Sequence, residues 1–167
     1  AARPLRYMDA YYTVTQGDVY YITELLDRME GLQRGPAGNT SLAGAFALAR
    51  QMDEDQIIVV QESEYTGAGK SHTAQLTFAE DHGVKVYRGD TSEENPGESI
   101  VIPEAPQDIR IREIDLDDIR RQYLEINVKN KGFDNITPEE LDFLAAETHQ
   151  SQEKTKEELA DLGIHMA

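Results

Sequence analysis

Cysteine and tryptophan are both absent from these 167 residues. Without cysteine, disulfides, thiolate metal sites and cysteine nucleophiles are excluded, and a reducing cytoplasm is the expected compartment. Basic residues are scarce, 16 against 32 acidic ones, which leaves a formal charge of -16. A surface this acidic repels phosphate backbones and anionic lipid, so neither nucleic acid nor a membrane surface is expected as a partner. Long apolar runs are missing too. The longest aliphatic stretch is Ile57-Ile58-Val59-Val60, far short of the ~20 residues that a spanning helix requires, and the first residues lack the apolar core of a signal peptide. Leu, Ile, Val and Phe together make 37 of 167 residues, 22%, just above the roughly 20% below which a highly charged chain tends to disorder. A lean core is expected in a soluble chain whose length suggests one domain.

The acid is unevenly spread: residues 1–90 carry 13 acids and 8 bases, net -5, whereas residues 91–167 carry 19 and 8, net -11. Two stretches with different roles are therefore expected.

Thr15-Gln16-Gly17-Asp18 fits a capping box, and Val19, Ile22, Leu25, Leu26 and Met29 follow at helical spacing before Gly31; the pattern predicts a helix over 16–30. The turn Gly35-Pro36-Ala37-Gly38-Asn39 leads into a helix of small residues that lets another backbone approach closely. Residues 57–60 read as a buried parallel strand, because the run is β-branched and bounded by polar segments. After the loop Glu62-Ser63-Glu64-Tyr65-Thr66-Gly67-Ala68-Gly69-Lys70, a helix is expected over 71–81 and a short strand over 84–87. This order is that of an α/β protein with a parallel sheet. In such sheets ligands bind beyond the carboxyl ends of strands, so residues 62–72 are the first place to look for a site.

Residues 91–110 read as an extended linker with a short edge strand near 100–102, and residues 111–167 as an acidic helical tail. Leu116, Ile119, Tyr123 and Ile126 mark its first helix. Thr137-Pro138-Glu139-Glu140 starts a second with apolar Leu141, Phe143, Leu144 and Ala145, and Ser151 opens a third with Leu159 and Leu162.

Gly69-Lys70-Ser71 does not complete a nucleotide phosphate loop, since Glu64 stands where that motif needs its first glycine. The residues alone leave two readings of the loop open: a binder of phosphate or a cofactor ring through exposed N–H groups, and a tight turn with no ligand. The four histidines, His72, His82, His149 and His165, show no zinc-helix pairing, and no Gly-x-Ser-x-Gly elbow supports a hydrolase triad. Only His72, beside the glycine loop, is a functional candidate among them; the acidic clusters read as solvated helix faces.

Taken in order, Thr13-Val14-Thr15-Gln16-Gly17-Asp18, Met29-Glu30-Gly31-Leu32, the Gly-Pro turn into its alanine-rich helix, residues 57–60 and Thr66-Gly67-Ala68-Gly69 resemble the C-terminal half of the fold-type II pyridoxal-phosphate enzymes related to tryptophan synthase beta and threonine synthase. Residues 61–73 and 141–148 are most similar to a coenzyme A-dependent thiolase branch of that family. The resemblance implies a three-layer α/β fold with a parallel sheet over residues 1–90, with the linker and helical tail after it. It implies pyridoxal 5'-phosphate as cofactor and coenzyme A as co-substrate, in cleavage of 2-amino-4-oxopentanoate to acetyl-coenzyme A and alanine during ornithine degradation. By the same resemblance Thr66 would face the pyridine nitrogen, with Ser63 as fallback; Gly67 and Gly69 would let backbone lie beside the ring, and Glu30 and Asn39 would sit on neighbouring turns. The family holds its aldehyde on a lysine and its phosphate in a glycine loop, both N-terminal to anything matched here, and Lys70 is not at the family's lysine position. The expectation is therefore a C-terminal portion of a larger oligomeric enzyme, its partners the remaining N-terminal part and a small second subunit, inactive by itself. A second reading makes it a non-catalytic acidic α/β module whose helical tail docks a partner subunit.

Overall fold

A computed structural model describes residues 3–62 and 71–167. In chain order the elements are α1 (Arg3–Tyr7), β1 (Tyr12–Thr13), α2 (Gln16–Glu30), α3 (Thr40–Ala49), α4 (His72–Asp81), β2 (Lys85–Arg88), β3 (Ser99–Ile102), β4 (Arg112–Glu113), α5 (Leu116–Asn127), β5 (Asn135–Ile136), α6 (Pro138–Thr148), α7 (Gln152–Asp161) and β6 (His165–Met166). They divide into two compact units, residues 12–112 and residues 1–11 with 113–167. The protein is a mixed α/β chain whose pairs β2–β3 and β5–β6 are both parallel. Among the described residues no helix is long and apolar enough to cross a membrane.

In the unit of residues 12–112, α2 forms because its cap is complete. Thr15 Oγ1 accepts from the Asp18 N–H at 3.1 Å, Asp18 Oδ2 accepts from the Thr15 N–H at 3.2 Å, and Gly31 ends the helix at φ 66°, a left-handed conformation that glycine adopts without a Cβ penalty. One side of α2 packs Val19 and Ile22 against Ala43 and Ala47 of α3 and against Ile109. Tyr20 packs instead with Ile100 and Ile102 of β3. All four residues of β3 are buried, so residues 91–110, expected as an extended linker with a short edge strand, contribute a buried strand to this core.

The start of α2 meets β3 at very close range. A Cβ on Gly17 would lie 1.7 Å from the Val101 carbonyl oxygen, so no larger residue fits. The Glu94 carboxylate bridges the two elements, accepting from the Gln16 N–H at 2.7 Å, the Gly17 N–H at 2.8 Å and the Val101 N–H at 3.0 Å. Two of these donors belong to the open first turn of a helix, where negative charge is favoured.

The strand expected at residues 57–60 does not form. Ile57 and Val59 are 86% and 91% exposed, and residues 57–60 make no backbone hydrogen bond among the described residues. A strand exists only as a member of a ladder, and no described strand lies beside this run to pair with it.

In the other unit, Leu124, Val128, Ile136, Leu141, Leu144, Leu159, Leu162 and Ile164 make one core. Thr137 and Glu140 form the expected capping box, with Pro138 at the first helical position. The apolar face of α5 differs from expectation: Leu124 is fully buried while Ile126 is 58% exposed, because the stripe that meets the core runs through Leu124 and Val128, four residues apart. Phe143 of α6 likewise points outward. Glu147 is buried and paired with Arg6 of α1 at 3.0 Å, so the first residues belong with the helical tail in space.

Asp18 is fully buried. Burial, followed by the neighbouring charge of Glu94, raises its pKa above the ordinary 3.8, against the opposing Thr15 bonds and a weaker influence of the Arg110 backbone. The folded state therefore binds this proton more tightly than the unfolded chain, and the stability this confers at low pH is lost as pH rises from 3.8 through the raised folded value. Asp18→Asn keeps an acceptor for the cap and is expected to flatten that decline in urea-unfolding measurements taken across pH 4 to 7; a decline as steep as in the parent chain would refute the assignment. Gly17→Ala is expected to cost about 3 kcal/mol or more in the same assay, through the collision with Val101.

Candidate functional site

The candidate site is a groove of about 720 Å³ in the unit of residues 12–112. One side comes from the turn and helix start, Ala37, Gly38, Thr40 and Ser41, continued by Gly44, Ala45 and Leu48 on α3; the other side is the segment Ile58 to Gln61. Pro36 opens a 3₁₀ turn that runs directly into α3, and its fixed φ suits a first helical position. The small residues leave the space open. Ser41 Oγ donates to the Gln61 carbonyl oxygen at 2.8 Å, which ties the two sides together just before the glycine loop. Arg34 Nε lies 3.4 Å from Glu62 Oε2 and makes a second tie at the same end.

The groove is apolar with a few hydroxyls. Among the described residues no Asp, Glu, Lys, Arg or His lines it, so its described walls can receive an apolar surface or a flat ring and can neither transfer protons near neutral pH nor neutralise an anion. Lys85, Lys129, Lys131, Lys154 and Lys156 all lie elsewhere, and Lys154 is engaged with Asp117 at 2.5 Å.

Of the residues singled out in the sequence, Ser63, Thr66, Gly67 and Gly69 lie outside the described residues. Glu30 is exposed at the end of α2. Asn39 is fully buried and does not line the groove; its Nδ2 donates to Thr23 Oγ1 at 3.0 Å, and that hydroxyl donates to the Val19 carbonyl oxygen at 2.7 Å. Asn39 thereby fastens the turn to α2 from behind. Sequence reasoning missed Thr23 and Ser41. A threonine on the apolar side of α2 and a serine at the start of α3 were the only signals, and neither carries a motif. His72 occupies the first position of α4, after Ser71 accepts from the Ala74 N–H. His82 instead stacks on Phe78 with ring centres 3.9 Å apart. Among the described residues no group of three or more His, Asp or Glu could hold a metal ion.

No family model matches the chain, and no solved structure matches it. Two curated relatives do. A protein named 2-amino-4-ketopentanoate thiolase beta subunit, from an unknown prokaryotic organism, is 50% identical over 166 residues, 99% of this chain and 35% of the relative. One of the same name from Acetoanaerobium sticklandii is 47% identical over 162 residues, 97% of this chain and 34% of the relative. The chain is homologous to part of these thiolase beta subunits. It spans about a third of their length, consistent with a C-terminal part, and the likeness to a thiolase expected from residues 61–73 and 141–148 is borne out along nearly the whole chain.

Asn39→Ala is expected to cost about 1 to 3 kcal/mol in urea unfolding, because Thr23 loses its buried donor. A neutral result would place the asparagine outside the framework that holds the turn.

Proposed function

We propose that this chain is the C-terminal portion of a pyridoxal-phosphate-dependent thiolase subunit, with the three-layer fold of the fold-type II enzymes in the complete protein. The observation that carries this reading is the 50% identity over 166 residues to a protein named as the beta subunit of 2-amino-4-ketopentanoate thiolase. The reaction proposed is coenzyme A-dependent cleavage of 2-amino-4-oxopentanoate to acetyl-coenzyme A and alanine, a step of ornithine breakdown.

The groove suits one wall of such a cofactor's pocket. Its small residues and hydroxyls admit a flat ring, and Gly67 and Gly69, in the loop that follows, would let backbone lie beside it. Pyridoxal phosphate, when bound, supplies the electron sink that stabilises charge next to the amino-bearing carbon. Thr66 would place a hydroxyl at the pyridine nitrogen, with Ser63 as the alternative; a hydroxyl there, unlike a carboxylate, leaves that nitrogen less readily protonated. Asn39 would hold the turn behind the wall through Thr23, and Glu30 would stand on the adjoining turn.

The lysine for the aldehyde and the clamp for the phosphate would come from the rest of the polypeptide, since no described lysine lines the groove. Coenzyme A is an anion, and a chain of charge -16 repels it. Its basic binding groups would come from the remaining polypeptide or a small partner subunit of the oligomer. Full-length subunit is expected to bind pyridoxal phosphate with a visible absorbance band that borohydride abolishes, and Thr66→Ala is expected to shift the pH dependence of that band. A borohydride-sensitive band from residues 1–167 alone would overturn the proposal, as would a full-length subunit that binds no pyridoxal phosphate.

A further inference from the structure

The cap of α2 carries negative charge that the fold leaves uncompensated. Asp18 Oδ2 is turned back to the Thr15 N–H, while its other oxygen, Oδ1, is buried and accepts no hydrogen bond among the described residues. Burial and then the nearby charge of Glu94 hold the Asp18 proton more firmly than usual. Two ionised carboxylates here would face a helix start that supplies only about half a positive charge, leaving roughly one and a half negative charges unmatched. A buried acceptor without a donor is costly, and a cationic donor would satisfy that oxygen and the charge together.

Asp18 and Glu94 lie on the wall of a cavity of about 670 Å³ within the unit of residues 12–112. Arg110 and Arg112 line the same cavity. Arg112 makes no ion pair among the described residues, and Arg110 meets only Asp90, at 3.8 Å, with most of its side chain exposed. Val14 and Ile111 give the wall an apolar part. One cavity thus combines buried acid, available guanidinium groups and an apolar surface.

We propose that this cavity binds an α-amino acid as its zwitterion, with the ammonium group set against Asp18 and Glu94, the carboxylate held by Arg110 and Arg112, and an apolar side chain against Val14 and Ile111. Both charges of the ligand are needed. An amine alone would leave the arginines without a partner, and a carboxylate alone would add a third negative charge and leave Asp18 Oδ1 without a donor. Arginine suits the second role because its fork of N–H groups matches a carboxylate. The proposal rests on the cap of α2 and not on the cofactor, so it and the reading above fail separately.

The test is calorimetric titration of L-leucine into the full-length subunit after borohydride treatment, which leaves no aldehyde to react with an added amine. Saturable binding at one site per subunit is the expected result. 3-Methylbutylamine, which lacks the carboxylate, and 4-methylpentanoate, which lacks the ammonium group, are each expected to bind on the order of tenfold or more weakly. Asp18→Asn, which keeps an acceptor for the cap, and Arg112→Ala are expected to weaken leucine binding by a similar factor, whereas Arg121→Ala, in the other unit, leaves it unchanged. Absence of saturable binding would overturn the proposal. So would either half-ligand binding as tightly as leucine, or leucine binding that both Asp18→Asn and Arg112→Ala leave intact.

Discussion

The carboxylate of Glu94 joins the first turn of α2 to β3, and the unit of residues 12–112 depends on that join. Three backbone N–H groups converge on one side chain, two from a helix end and one from a strand. A helix start has N–H groups with no partner in the helix, and a buried one left unsatisfied costs more than a typical hydrogen bond gains. Glu94 meets that need from 77 residues away, and Gly17 permits it by leaving no Cβ against Val101. The closeness has an electrostatic consequence, since Asp18 is buried beside a second carboxylate and its proton is held more firmly.

With α2 fixed on β3, its other side can hold α3. Ala43 and Ala47 pack on Val19 and Ile22, and Thr23 and Asn39 secure the turn that precedes α3. That turn and the small residues after it form one side of the groove. The groove therefore follows from the placement of α3: alanines hold that helix on α2, and Ser41, Gly44 and Ala45 are too small to fill the space between it and the segment at residues 58–61. Its described walls carry no charge, which makes them a surface for packing or for a ring.

Much of the local structure was legible. Thr15 with Asp18, Thr137 with Glu140 and Ser151 each marked a helix start, because capping chemistry is contained within four residues. Gly31 marked an end for the same reason. The reading of residues 57–60 as a strand failed, since β-branched composition expresses a preference for pairing and pairing needs a neighbour. Ile126 was read as one of the apolar residues that mark its helix and Phe143 as part of an apolar side, and both face outward; helical periodicity gives a spacing of apolar residues, while the partner surface decides which of two adjacent stripes is buried. The likeness to a thiolase subunit was legible from residues 61–73 and 141–148 because identity along a motif needs no three-dimensional information. Glu30 and Asn39 were placed near a site on the same grounds, and the framework role of Asn39 was not visible, because its partner Thr23 lies on another element.

The amino-acid sequence by itself determined the helix limits, the acidic charge, the absence of thiol chemistry and the family likeness. Each depends on composition or on contacts within about one helical turn. Tertiary structure alone decided that Glu94 caps a distant helix, that residues 91–110 bury a strand, that Arg6 pairs with Glu147, and that residues 57–60 form no strand. These are long-range matters: a side chain's partner is set by which backbone groups and surfaces the fold brings within a few ångströms, and no local pattern encodes that distance.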